Sequence, residues 1–169
     1  MKQSRKSWTS IFRVIFIIYL ILLFRLIVLK YPYSVFRDIM DGWGNFSLRE
    51  ILLLGIQKAN FRPFRSILLY IHYFKRINGF ANLIGNVCLF IPLGILFCAA
   101  YPKRTGYGLP VLFCGFYSLL METIQLITLF GIFDVDDIIL NTLGGLLGCG
   151  IFFIIEKWLI SHQGGKKVQ

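Results

Sequence analysis

The chain has 169 residues, of which 57% are hydrophobic and 17% aromatic, and its formal net charge is +10 at pH 7. A soluble domain of this length cannot bury so much apolar surface, so the composition excludes a soluble globular protein and predicts one that lies in a lipid bilayer. We expect membrane lipids around it and no nucleic-acid partner.

Four segments are apolar over about 20 residues, the length that a transmembrane helix needs. They are residues 12–29, 81–101, 107–130 and 138–159. The first of them is as long as a span, and no small-residue cleavage site follows it. We therefore interpret it as a retained membrane span and not as a signal peptide.

The first loop contains two apolar pieces, SLREILLLGIQ and PFRSILLYIHYF, that are too short to cross a membrane. Pro63 in the intervening NFRPF predicts a break between them. The fold class predicted is thus an all-α integral membrane protein: a bundle of four transmembrane helices plus one or two short interfacial or re-entrant helices in the first external loop. We predict a membrane domain at 12–159, between a basic cytoplasmic N-terminus at 1–11 and a polar cytoplasmic tail at 160–169.

The same loop is rich in cations, and no acidic residue occurs between Glu50 and Glu122. Basic side chains next to a bilayer attract lipid phosphates. The residues for which we predict such contacts are Arg62, Arg65, Lys75 and Arg76. The alternative is that these side chains only snorkel from an ordinary interfacial helix.

Both termini lie on one side of the membrane, because the number of predicted spans is even. Nine basic residues flank the spans on that side, and the short connection around Asp134 on the other side has none. By the positive-inside rule both termini are cytoplasmic. Eight basic residues between Lys30 and Gly79 oppose this orientation, but long loops weigh less in the rule.

Polar side chains occur within the apolar spans, where they are costly unless paired. With the orientation above, the second, third and fourth spans all carry them in the outer half of the membrane. This convergence predicts either a functional cavity or strong contacts between helices. The candidate ligand-binding residues are Asn82, Asn86, Glu122, Gln125, Asp134, Asp137 and Asn141.

Each of these features has a structural alternative. The two asparagines of the second span can bond across helices. Asp134 reads equally well as the N-cap of the fourth span, with Asp137 at the third helical position. Gly144 and Gly148 form a G-x-x-x-G pattern that predicts close helix packing. The four cysteines are spread without ligand spacing, which favours small buried side chains over a metal or disulfide site.

Four motifs resemble, in order and spacing, the signatures of the VanZ-like membrane proteins. They are NFRPF at 60–64, NLIGNVCLFIPLG at 82–94, METIQ at 121–125 and FDVDDIILNTLGG at 133–145. The resemblance implies a small bacterial plasma-membrane protein in which Asn86, Glu122, Gln125, Asp134, Asp137 and Asn141 stand on motif positions. It assigns less to Asp136, where members without an acid occur.

The VanZ-like family takes its name from a member associated with resistance to the lipoglycopeptide teicoplanin. We therefore favour a non-enzymatic protein of the cell envelope that recognises an amphiphile in an outward-facing polar cleft within the membrane. The expected ligand is a lipid-linked wall precursor or a lipoglycopeptide antibiotic such as teicoplanin, with a contribution to glycopeptide resistance. We expect no cofactor. The sequence is compatible with a homo-oligomer.

The alternative is a membrane-embedded enzyme that acts on an envelope lipid. Glu122 would then serve as general acid or base, and Asp134 with Asp137 would hold Mg²⁺ through oxygen ligands. Against this, the cluster has no neighbouring histidine or arginine within the spans. A third option, an ion or proton pathway, has a single deep acid in its favour.

Overall fold

The computed structural model describes residues 2–29, 33–72, 79–102 and 106–164, and over these residues the chain is all-helical. The helices are α1 (Lys2–Ile27), α2 (Tyr33–Trp43), α3 (Leu48–Lys58), α4 (Arg65–His72), α5 (Gly79–Ala100), α6 (Gly108–Thr128) and α7 (Val135–Gly164). Four of them, α1, α5, α6 and α7, are long and apolar enough to cross a membrane. The predicted all-α membrane fold is confirmed.

The glycines of α5 and α7 bring these two helices into close contact at the centre of the bundle. A Cβ atom on Gly94 would lie 2.3 Å from the carbonyl oxygen of Gly145, and one on Gly148 would lie 2.1 Å from that of Ile91. Neither position leaves room for a larger residue, because the obstructing atom belongs to the backbone. The predicted packing role of Gly148 and Gly144 is therefore confirmed, with α5 as the partner.

The other two long helices flank this central pair: α1 packs on α5, and α6 packs on α7. Aromatic rings fill the contact between α1, α5 and α6, with the Phe16 ring centroid 5.7 Å from that of Phe97 and 5.5 Å from that of Phe113. The opposite face of α1 exposes its isoleucines, as expected of a helix in contact with lipid.

The first loop contains three short helices, one more than the upper limit predicted. The additional helix, α2, was not predicted because Arg37, Asp38 and Asp41 make it too polar to be recognised as an apolar segment. It is amphipathic, and its last residue, Trp43, stacks on Phe130. In this way α2 is attached to the connection between α6 and α7.

The break predicted at Pro63 is confirmed, because α3 ends at Lys58 and α4 begins at Arg65. A capping box formed by Ser47 and Glu50 fixes the start of α3. At this end of the bundle α3 packs on the last turns of α6, and α4 packs on α5 and on the start of α7. This shared end of the bundle holds the polar residues.

Candidate functional site

A cavity of about 580 Å³ lies at this end of the bundle. It is lined from α1 by Leu26 and Ile27, and from α3, α4 and their connection by Lys58, Asn60, Arg65, Ser66, Leu69 and Tyr70. The long helices α5, α6 and α7, with the connection before α7, contribute Asn82, Gly85, Asn86, Leu89, Gln125, Ile132, Asp134 and Asp137. The structure thus brings five of the seven predicted ligand-binding residues to one cavity. Glu122 and Asn141 are not among its lining residues.

The connection between α3 and α4 is held against the start of α7 through the backbone of Asn60. Its N–H donates to the carbonyl oxygen of Phe133 at 2.8 Å, and its carbonyl oxygen accepts from the N–H of Val135 at 3.0 Å. The rings of Phe61 and Phe133 pack beside this pair. The loop therefore has a fixed register on α7.

The Asp134 carboxylate caps α7, as one of the two interpretations of the sequence predicted. One oxygen accepts from the N–H of Asp136 at 2.9 Å and from the Asn60 side-chain amide at 2.8 Å. The other oxygen accepts from the Ser66 hydroxyl. Both oxygens are thus engaged by protein donors from the helix itself and from the adjacent loop.

The Asp136 carboxylate caps a different helix, α4. It accepts from the backbone N–H groups of Phe64, Ser66 and Ile67, with distances of 2.7 Å to Ser66 and 3.1 Å to Ile67. These N–H groups have no partner within α4, because they belong to its beginning. The side chain of Asp136 is only 1% exposed, and the sequence analysis assigned it no role.

Glu122, on α6, is hydrogen-bonded to the backbone just before α7. Its carboxylate accepts a hydrogen bond of 2.8 Å from the N–H of Asp134, and the residue is 1% exposed. A carboxylate at the N-terminal end of a helix also interacts favourably with the helix dipole. A deep acid in the third span therefore has a structural partner in the fourth.

Gln125, one turn farther along α6, joins that helix to α1. Its side-chain amide donates to the carbonyl oxygen of Ile27 at 3.0 Å, which lies in the last turn of α1 and has no partner within the helix. Gly131 makes room for this side chain, because a Cβ atom there would lie 2.6 Å from the side-chain carbonyl carbon of Gln125.

Asn86 and Asp137 connect α5 with α7 at the cavity wall, where the asparagine amide donates to the aspartate at 2.6 Å. One turn earlier, Asn82 lines the cavity together with Tyr70 of α4. Burial raises the pKa of Tyr70, and the nearby carboxylate of Asp137 raises it further. The hydroxyl is accordingly neutral at physiological pH.

Asn141 lies one turn deeper in α7, where its amide donates to the Ser118 hydroxyl at 2.8 Å. Its side-chain carbonyl oxygen is buried, and among the described residues it has no hydrogen-bond partner. The residue is 1% exposed. Asn141 therefore contributes to the contact between α6 and α7 beneath the cavity.

Of the predicted lipid-phosphate contacts, Arg65 lines the cavity and Arg62 is exposed outside it. Lys75 and Arg76 lie outside the described residues. Lys58, the last residue of α3, also lines the cavity. Both cationic side chains of the cavity are exposed.

The arrangement offers carboxylate, amide, hydroxyl and cationic groups in one space with apolar walls, which is suited to binding a polar headgroup. Among the described residues, no three histidine, cysteine or acidic side chains converge closely enough to hold a metal ion. Four residues of this region were not among the predicted ligand-binding residues: Asn60, Ser66, Tyr70 and Asp136. Asn60 and Asp136 had a signal, since Asn60 opens the NFRPF motif and Asp136 lies within FDVDDIILNTLGG.

Comparison with known proteins agrees with the motifs. The VanZ/LLP1 family model matches residues 16–156. Protein VanZ of Enterococcus faecium is 35% identical over 95 residues, a match that covers 56% of this chain and 56% of that protein. The chain thus matches little more than half the length of this curated relative, and no solved structure matches it. Since the family model covers most of the sequence, the chain belongs to the VanZ/LLP1 family of membrane proteins.

Proposed function

We propose that this chain is a non-enzymatic recognition protein of the bacterial cell envelope, which binds an amphiphilic ligand in the cavity at the end of its bundle. The cavity itself is the observation that supports this function. Its volume of about 580 Å³ is in the range of small-molecule sites, and polar groups from every long helix except α1 meet in it.

An amphiphile suits this lining better than a fully polar ligand does. The amide and carboxylate groups of Asn86, Gln125 and Asp137 face the same space as the aliphatic side chains of Leu69 and Leu89. Amides and carboxylates bind the hydrogen-bonding groups of a headgroup, and the aliphatic side chains accommodate the adjacent part of its tail.

The ligand that we propose is a lipid-linked wall precursor or a lipoglycopeptide such as teicoplanin. Membership of the VanZ/LLP1 family supports this choice, because the family name comes from a protein associated with teicoplanin resistance. A contribution of this chain to glycopeptide resistance is part of the proposal. We place the protein in the bacterial plasma membrane with both termini cytoplasmic, so that the cavity opens outward.

Hydrogen bonding within the site favours recognition over Mg²⁺-dependent catalysis. The two oxygens of Asp134 accept hydrogen bonds from Asn60, Ser66 and Asp136, which leaves less capacity for a cation. Glu122, the general acid or base of the enzymatic alternative, accepts a hydrogen bond from the backbone N–H of Asp134 and does not line the cavity.

A cavity-filling variant tests the proposal. Gly85 lines the cavity, and a Cβ atom there would meet nothing within 4 Å, so Gly85→Leu places a large side chain in the ligand space without a backbone clash. We expect at least tenfold weaker binding of the wall precursor and of teicoplanin to the purified variant. Gly150→Leu is the matched control, since Gly150 is equally open but lies far along α7 from the cavity.

The same binding experiment, followed by analysis of the recovered ligand, distinguishes recognition from catalysis. Saturable binding of a ligand that is recovered unchanged, with or without Mg²⁺, supports a recognition protein. A covalently altered ligand supports the membrane-embedded enzyme instead. Equal binding to the wild type and to Gly85→Leu contradicts the location of the site.

A further inference from the structure

Two cations flank the connection between α3 and α4 and line the same cavity. Lys58 is the last residue of α3, and Arg65 is the first residue of α4. The intervening segment, residues 59–64, is the NFRPF motif preceded by one alanine. Arg65 was predicted from the sequence to contact lipid phosphates, and both cations line the candidate ligand site in the structure.

The connection between these two residues is fixed at both ends. Near Lys58, the backbone of Asn60 is paired with residues 133–135. Near Arg65, the Asp136 carboxylate binds the N–H groups of Phe64 and Ser66. The two cations therefore extend from fixed backbone positions, which is the preorganisation that favours binding of a ligand.

Neither cation has an ion-pair partner in the part of the chain that the structure describes, where the ion pair found is Arg37 with Asp41. The acids of the cavity accept hydrogen bonds from neutral groups: Asp134 from Asn60 and Ser66, and Asp137 from Asn86. Within the described residues, the exposed charged groups of Lys58 and Arg65 are thus available to an anionic ligand.

We propose that Lys58 and Arg65 form an anion subsite that holds the phosphate group of the ligand. This inference rests on the proposed function, since it assigns the headgroup chemistry of the same cavity. The planar guanidinium of Arg65 can donate to two oxygens of one phosphate. The ammonium of Lys58 can bind the third oxygen as a point charge. Of the two ligands proposed above, the subsite selects a phosphate-bearing lipid over a lipoglycopeptide, which carries no phosphate.

The test uses the full chain in nanodiscs of phosphatidylcholine, with dodecyl phosphate and dodecanol as probes that differ only in the phosphate. We expect dodecyl phosphate to bind at least tenfold more tightly than dodecanol. We expect Lys58→Gln and Arg65→Gln each to weaken binding of the phosphate about tenfold and to leave dodecanol unchanged. Arg62→Gln is the matched control, because Arg62 is exposed outside the cavity. This variant should bind dodecyl phosphate with the affinity of the wild type.

Inorganic phosphate distinguishes a lipid headgroup from free phosphate as the source of the anion. Weak competition by inorganic phosphate indicates a lipid phosphate, and competition as strong as that of dodecyl phosphate indicates the free ion. Lys58→Arg should retain tight binding, which shows that a loss in Lys58→Gln reflects charge and not misfolding.

Two outcomes overturn the inference, and they are distinguishable. If both probes bind equally and Gly85→Leu blocks both, the cavity binds amphiphiles but has no anion subsite, so the proposed function survives alone. If neither probe binds, the proposed function and the subsite both fail.

Discussion

The three aspartates of the segment 134–137 each bind a different part of the molecule. Asp134 caps its own helix, α7. Asp136 caps α4, and Asp137 accepts from Asn86 on α5. Acidic residues at the start of a helix stabilise that helix, and this sufficed to explain all three aspartates from the sequence. The sequence therefore did not indicate that two of them bind α4 and α5.

Asp136 provides the first prediction at this scale. Asp136→Asn removes the charge from an acceptor of three backbone N–H bonds and replaces one oxygen by an amide donor. We expect the free energy of unfolding to fall by about 2 kcal/mol, because hydrogen bonds to charged groups are stronger than neutral ones. Chemical unfolding in detergent measures this loss. Asp38→Asn on the exposed surface of α2 is the control, and an equal effect of both changes would contradict the capping role.

Gly131 and Gln125 provide the second prediction. Gly131→Ala forces the Gln125 side chain away from the carbonyl oxygen of Ile27. We expect a loss of about 1 kcal/mol in unfolding free energy, the typical value of one hydrogen bond. In a Gln125→Ala background, Gly131→Ala should lower the unfolding free energy little, because the glutamine side chain that the added methyl group would contact is absent. A double-mutant cycle measures this coupling; strictly additive losses would show that the two residues act independently.

Spacing along the sequence predicted which polar residues share a helix face, but it could not predict their partners. Asn86 and Asp137 were both selected because their depth in the membrane is similar. The loop partners of Asp136 and Asp134 lie 68 to 74 residues earlier in the chain, in a loop whose path no local pattern determines. Roles that depend on such contacts became visible only in the structure.

At the scale of the helices, hydrophobic length was sufficient to predict the four long elements. A span of the required length needs no knowledge of its neighbours, because the bilayer fixes it. Shorter elements lack this constraint. The amphipathic α2 was missed for that reason, whereas α3 and α4 were found through their apolar pieces and the proline between them.

The contact of α5 with α7 leads to the third prediction. Gly148→Ala places a methyl group against the backbone of Ile91, so the two helices must separate. We expect a loss of about 3 kcal/mol in unfolding free energy, as is typical of overpacking. Gly150→Ala, two residues away in open space, should cause no loss, because alanine favours a helix more than glycine does. Equal stability of the two variants would contradict the close packing at Gly148.

At the scale of the whole molecule, the sequence predicted that polar groups meet at one end of the bundle, because consecutive spans alternate in direction. It did not predict that α3 and α4 complete the cavity wall. Their contribution depends on the backbone pairing of Asn60 with the start of α7. The seven predicted residues consequently divide into five that line the cavity and two, Glu122 and Asn141, that lie behind it.

The orientation of the molecule in the membrane decides which solution the cavity meets. Basic residues occur at both ends of the bundle, but those at the end away from the cavity flank the spans directly, where the positive-inside rule applies most strongly. Those at the cavity end lie in a long loop, and two of them, Lys58 and Arg65, have a ligand-binding role in our proposal. Charge therefore favours a cavity that opens to the outside.

Cysteine labelling of intact cells tests this orientation. Asn82→Cys, in the cavity lining, should react with a membrane-impermeant maleimide in intact cells, and Lys157→Cys near the end of α7 should react only after permeabilisation. Cys88→Ser is made in both variants, because Cys88 is exposed and the remaining cysteines are buried. His162→Cys, on the same side as Lys157, serves as a second internal control. Labelling at Lys157→Cys in intact cells, with Asn82→Cys protected, would place the cavity toward the cytoplasm and exclude an external ligand.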